Sequence, residues 1–173
     1  AMASLAGKVC IITGASSGIG KAIAYRFAKE EARLCLVARS REKMSAIAQE
    51  TNWSPDPLII QADVSQEEQV KGVIQETLAR FETIDILING AGTAYFTPIA
   101  ETTEAQWDQV LDVNLKGTFL FCKNIVPHML ARGKGDIVNI ASIAAHQGFL
   151  NGTVYCAAKH GVLGLSRALS MEV

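Results

Sequence analysis

The chain has 173 residues, with 16 Lys and Arg against 17 Asp and Glu, and the resulting formal net charge of −1 argues against a mainly electrostatic partner such as nucleic acid or an anionic membrane surface. Apolar residues make up 49% and charged ones only 19%, below the ~25% usual for soluble domains, which predicts buried structure in one domain over 1–173 rather than a solvated chain. The opening AMASLAGK carries no apolar stretch of the secretory kind, and no apolar run approaches the ~20 residues that span a bilayer, so the expectation is a soluble, cytoplasmic protein with no membrane insertion.

In chain order, short β-branched runs alternate with helical stretches. VCIIT (9–13) leads through TGASSGIG (13–20) into a segment with Ile19, Ile23 and Phe27 at helical spacing, and LCLVA (34–38) and LIIQA (58–62) follow. Ser65 and Glu68 have capping-box spacing ahead of Val70, Val73, Ile74, Thr77, Leu78 and Phe81. DILIN (85–89) comes next, then a second capping-box pair, Thr103 and Gln106, ahead of helices over about 104–130. DIVNI (136–140) precedes a last helix that begins near Tyr155. Nearly continuous apolar runs are expected of parallel strands covered on both faces, and the alternation predicts right-handed crossovers in an α/β fold with a doubly wound parallel sheet. Cysteines 10, 35, 122 and 156 lack metal-ligand spacing and lie in apolar stretches, which predicts small core residues; the scattered histidines 128, 146 and 160 predict no metal site.

Ligands of such sheets bind beyond the strand carboxyl ends, where strand order reverses. Here those ends carry Thr13 and the glycines Gly14, Gly18 and Gly20, then Arg39, Asp63, NGAG (89–92) and Ser142. Ordinary turns explain glycines, but not why every strand ends in a group able to hold a ligand. Missing Cβ atoms in the first turn let a backbone approach a pyrophosphate placed at a helix N-terminus. About 20 residues further on, where an acid would hold the ribose of NAD, the chain has Ala38-Arg39-Ser40. A guanidinium can pair with a 2′-phosphate through a charge-assisted fork, which predicts NADP(H) in preference to NAD(H); the alternative is a solvated loop cation.

Tyr155 and Lys159 are four apart and share a helix face, and an ammonium beside a phenol favours phenolate, making Tyr155 a candidate proton donor or acceptor. Ser142 could hydrogen-bond a substrate oxygen as charge develops on it. Asn114, a poor helix-interior residue in a helical stretch, suggests a job or a kink. Each has a plain alternative: Ser142 as a cap, Tyr155 as an amphipathic helix residue, Lys159 as a solvated charge.

The ordered set TGASSGIG, Asp63, NGAG, Asn114 in DVNLKGTF, Ser142 in IVNIAS, and Tyr155 with Lys159 in YCAAK resembles the short-chain dehydrogenase/reductase family over nearly the whole chain. The resemblance implies a Rossmann-like fold, with catalytic Asn114, Ser142, Tyr155 and Lys159. It implies cofactor contacts at Gly14, Ser16, Ser17, Gly18, Ile19, Gly20, Arg39, Asp63, Val64, Asn89, Gly90, Ala91, Gly92, Tyr155 and Lys159. Asp63 would lie at the adenine, Asn89 would stabilise the strand-end turn, Lys159 would hold the nicotinamide ribose, and Asn114 would support a proton relay through water. Gly90 departs from the family, which more often has a second Asn there, and is expected to be tolerated because the backbone does much of that turn's work.

NLKGTFLFCKNIVPHM with GKGDIVNIAS is most similar to the 3-oxoacyl-carrier-protein reductase branch. The expected activity is NADPH-linked reduction of a ketone to a secondary alcohol, or the reverse, on a small molecule or an acyl thioester, by a homodimer or homotetramer. Family members continue past the helix in which Val173 falls, so further strands and a substrate cover are expected beyond it. A second reading is a nucleotide-binding or oligomerisation module without catalysis, with DIVNI as an unpaired apolar edge.

Overall fold

Strands form where the apolar runs are short and rich in β-branched residues. In the computed structural model, which describes residues 5–51, 53 and 55–173, the five runs become β1 (Val9–Thr13), β2 (Arg33–Ala38), β3 (Leu58–Gln61), β4 (Ile86–Asn89) and β5 (Asp136–Asn139). They pair in parallel in the order β3-β2-β1-β4-β5. The chain therefore steps outward from β1 to β3 and then crosses back to β4 on the other side of β1. That reversal opens a crevice between the ends of β1 and β4, as doubly wound sheets require. The register sets Thr13 opposite Val37 and Ile12 opposite Ile88, so the strand ends form one rim.

Among the described residues the α-helices are α1 (Gly18–Lys29), α2 (Arg41–Thr51), α3 (Glu67–Phe81), α4 (Glu104–Leu111), α5 (Gly117–Arg132) and α6 (Thr153–Leu169), and α4 packs on α6 rather than on the sheet. Alternation along β1 divides the core. Ile11, with Val37, Ile60 and Leu87, packs against Val73 and Ile74 of α3 and Phe121 and Ile125 of α5. Cys10 and Ile12, with Leu34, Leu36 and Ile88, pack against Ala24 of α1 and Met44 of α2. Each large side chain so buried stabilises the fold by about 1.5–3 kcal/mol. All four cysteines are buried and free, and burial pushes the thiols of Cys10 and Cys35 up to about 12 and that of Cys122 to about 11, which keeps them protonated core residues. Among the described residues no helix is long and apolar enough to cross a membrane.

The structure departs from the sequence reading at two places. Ile23 and Phe27 of the expected stripe pack against the core, but Ile19 is 60% exposed, and the most deeply buried residues of α1 are the small Gly20 and Ala24. Ser65 does not cap α3. Its amide and hydroxyl both donate to Asp63 Oδ1, at 2.9 and 2.7 Å, in an Asx turn, while Glu68 pairs with Lys71 on the surface. The expected Thr103–Gln106 capping box does form, with reciprocal bonds of 3.2 and 2.9 Å. Among the described strands β5 pairs only with β4, and its Val138 is exposed.

Candidate active site

Two glycine turns close on each other at the switch point. A Cβ at Gly14, whose φ is +68°, would lie 2.6 Å from Gly90 O, and one at Gly90 would lie 2.7 Å from Thr13 O. A Cβ at Gly20 would strike the carbonyl of Gly14. Thr13 Oγ1 fastens the junction by accepting from the amides of Gly90 and Ala91 at 3.0 and 3.1 Å. Glycine at 90 is accommodated through these backbone bonds, as expected. Asn89 supports the turn from below. Its Nδ2 donates to Asn139 Oδ1 at 2.9 Å in the buried layer, so its side chain does not reach the rim.

Above the turns lies a cleft of about 270 Å³ lined by Gly14, Ser16, Ser17, Arg39, Asp63, Val64, Ala91 and Gly92 of the expected set, and by Ser40 and Lys43 besides. The N-cap residue of α1, Ser17, makes no side-chain cap bond, and the first turn carries no acid. The free amides of α1 therefore face this region unblocked, which is what an anion at a helix N-terminus needs. A pyrophosphate-bearing dinucleotide fits these residues: glycines without Cβ, hydroxyls of Ser16 and Ser17, open amides, and the cations Arg39 and Lys43. Gly18 and Ile19 belong to the first turn of α1 beside the cleft rather than to its lining.

The expected catalytic side chains gather past β4 and β5. Between α4 and α5 the helix takes a π turn over Asp112–Lys116, which realises the irregularity that Asn114 suggested. Asn114 is 1% exposed, and its Nδ2 donates to Thr93 O at 2.7 Å and Val110 O at 2.8 Å. Its Oδ1 is buried with no hydrogen-bond partner. That orphan acceptor and Lys159 Nζ lie around the same hydrogen of Gly92: a Cβ there would be 2.9 Å from the first and 4.0 Å from the second. Lys159 is 5% exposed, donates to Ile140 O at 2.8 Å and stands 5.7 Å from the centre of the Tyr155 ring. Its burial lowers its pKa from the ordinary lysine value. Lys159 is thus a buried amine and not a solvated charge. Ser142 is a cap as well as a rim residue: its Oγ accepts from Ala144 N at 3.1 Å, a bond that leaves its own hydrogen free to donate.

A profile of the family described as short chain dehydrogenase matches residues 8–173. The chain belongs to this family. As a short chain dehydrogenase it is an oxidoreductase acting on CH–OH groups. It is 36% identical over 172 residues to the 3-oxoacyl-[acyl-carrier-protein] reductase FabG of Thermotoga maritima, covering 98% of this chain and 69% of that protein. It is 40% identical over 169 residues to the D-threitol dehydrogenase of Mycolicibacterium smegmatis, covering 97% of this chain and 65% of that protein. A crystal structure of levodione reductase superposes with a TM-score of 0.92 at 38% identity, over 97% of this chain and 67% of that one.

Three features of the site of this short chain dehydrogenase escaped the sequence reading. Thr13 was visible as a strand-end polar residue, but its double acceptor role needs β1 and β4 side by side. Lys43 lines the same cleft as Arg39 from the first turn of α2, a placement that depends on that helix beginning at Arg41. Residues 93–97 and 144–152 are the pocket walls that the sequence leads one to expect, but that Phe96 of one meets Phe149 of the other, with ring centres 5.8 Å apart, has no local signal.

Proposed function

We propose that this chain is an NADP(H)-dependent oxidoreductase that reduces a ketone to a secondary alcohol, or runs the reverse. A 3-oxoacyl thioester, the substrate class named for the Thermotoga maritima relative, is a candidate ketone. One juxtaposition carries the reading: the buried Lys159 amine beside the Tyr155 ring, at the rim where the glycine turns meet. The coenzyme, when bound, supplies or takes up the hydride. Tyr155 donates its proton to the carbonyl oxygen as that oxygen gains charge, and the Lys159 ammonium stabilises the phenolate left behind. Ser142, with its Oγ already bonded to the Ala144 amide, points a hydroxyl hydrogen at the same carbonyl oxygen and orients it. The orphan Oδ1 of Asn114 suits a water that passes a proton through Lys159 back to Tyr155.

Arg39 and Lys43, at the cleft edge beyond β2, are placed to pair with a 2′-phosphate, which supports NADP(H) over NAD(H). Assembly as a homodimer or homotetramer through α4, α5 and α6 is supported by the exposed Trp107 of α4 and Phe119 of α5. The decisive test is Tyr155→Phe in the full-length protein. Ketone-dependent NADPH oxidation is expected to fall by about 10²–10⁴ while NADPH binding, read by fluorescence titration, persists. Undiminished turnover would remove Tyr155 from the chemistry and the reading with it.

A further inference from the structure

The walls around Tyr155 differ in kind from the coenzyme side of the rim. Arg39, Lys43 and Asp63 gather beyond β2 and β3, yet no Asp, Glu, Lys or Arg stands between Ile86 and Ala100 or between Ile137 and Ala158. These two stretches bring an aromatic group together. Phe96 sets its ring against Tyr155, with centres 5.7 Å apart and planes at 74°, and also contacts Phe149 at 5.8 Å and 52°. Phe149 rests on the backbone of Gly152, where an added Cβ would strike its ring, and Gly152 immediately precedes α6. The ring is thereby fixed relative to Tyr155, one turn into that helix. Both phenylalanines keep open faces, at 56% and 45% exposure, and Ile143 and Leu150 on the same stretches are also exposed. Among the polar groups there, Tyr95 gives its hydroxyl to Gln109, Thr97 Oγ1 is paired with Thr102 Oγ1 at 2.9 Å, and His146 and Gln147 are exposed.

The geometry points to a neutral ketone with a ring-sized or branched apolar group as the substrate class, selected by Phe149 and Phe96; this rests on the oxidoreductase reading above. A carboxylate or phosphate seated on Phe96 and Phe149 would lose its water and meet no cation from these two stretches in return, since the cation beside Tyr155, Lys159, is buried and bonded to Ile140 O. A polyhydroxylated ketone would set its hydroxyls against ring faces that cannot bond them. An apolar group removes those half-open faces from water together with its own surface. Phe96 touches Tyr155 and so also orients the phenol. Phe149 lies one ring further out and reports on substrate fit alone.

The test compares three ketones as NADPH oxidants with the full-length protein: 4-phenylbutan-2-one, the carboxylate 4-oxopentanoate and dihydroxyacetone. The phenyl ketone is expected to exceed the other two in kcat/KM by about tenfold or more. Phe149→Ala should erase most of that advantage through KM for the phenyl ketone, with KM for NADPH unchanged, and Phe149→Leu should keep it. Should the alanine variant not fold, seen as lost NADPH binding, the leucine variant and the three-ketone comparison carry the test. Equal or better turnover of the charged or hydroxylated ketone overturns the proposed class and leaves the oxidoreductase reading standing. So does a Phe149→Ala that lowers kcat/KM equally for all three. NADPH binding with no reduction of any of the three overturns the reading itself and the substrate class with it.

Discussion

Arg39 lies on the surface at the end of β2 and, among the described residues, takes part in no ion pair, so its guanidinium is available to a ligand. Lys43 lines the same cleft, and its amide meets Ser40 Oγ at 3.3 Å, which places it in the first turn of α2. Bonds to a charged partner contribute about 1.5–3 kcal/mol, so Arg39→Ala should raise KM for NADPH by about tenfold or more. Lys43→Ala should raise it less, as a point charge without a fork, and neither variant should move KM for NADH. Steady-state assays with both coenzymes check this, and equal effects on the two would refute the 2′-phosphate assignment. Arg39 was legible because a residue that follows a strand is fixed by the strand; Lys43 was not, because its position depends on where the next helix starts. Asn114 was half legible. Its poor fit to a helix showed in the sequence, whereas the π turn that gives it two carbonyl partners and leaves one oxygen bare is a property of the folded backbone.

Elements reveal themselves through periodicity, and periodicity fails where small residues or short-range polar bonds take over. Gly20 and Ala24 are buried in α1 while Ile19, the first residue of the expected stripe, is exposed, and Asp63 drew Ser65 away from α3. At the opposite end of the sheet from the cleft, β4 and α5 are joined by a polar seam. Arg132 donates to Ile84 O and Asp85 Oδ1, both at 3.0 Å, Asp85 Oδ2 accepts from Val9 N at 3.0 Å, and His128 Nε2 accepts from Ile84 N at 3.3 Å. Burial, and then the Arg132 charge, lowers the His128 pKa below 6.5. Burial alone would raise the Asp85 carboxyl, but the Val9 amide and Arg132 outweigh it and hold it below 3.8. Both groups bind protons more readily when unfolded. The His128 contribution is therefore complete above pH 6.5 and lost as pH falls toward its folded value, and that of Asp85 is complete above 3.8 and lost only at stronger acidity. The thermal midpoint should decline as pH drops below 6.5, and His128→Gln, which keeps an acceptor for Ile84 N without titrating, should flatten that first decline. A variant with the same pH profile as the parent would show that His128 is not its source.

At the scale of the molecule, the strand order and the rim were readable because unbroken apolar runs ending in ligand-holding residues admit few topologies. The meeting of β1 and β4 through Thr13, and of residues 96, 149 and 155 in one aromatic group, was not, because long-range contact leaves no local trace. The same long-range closure links coenzyme binding to stability. The cleft draws its lining from the ends of β1, β2 and β3, the turn after β4 and the π turn, so occupation ties together elements that are separate in sequence. A ligand that binds only the folded state stabilises it by about 2.7 kcal/mol at a hundred times its Kd. For a chain of this size that corresponds to a rise in Tm of about 5–11 °C. If Arg39 contributes about a factor of ten in affinity, the same concentration of NADH, which has no 2′-phosphate for it, stands at ten times its Kd and adds only about 1.4 kcal/mol, roughly half the rise. Thermal unfolding of the full-length protein with equal excesses of the two coenzymes measures the difference directly. Arg39→Ala should bring the NADPH shift down close to that of NADH, with Lys43 keeping a small excess, and coenzymes that shift Tm equally in the parent protein would mean that the two cations do not read the 2′-phosphate.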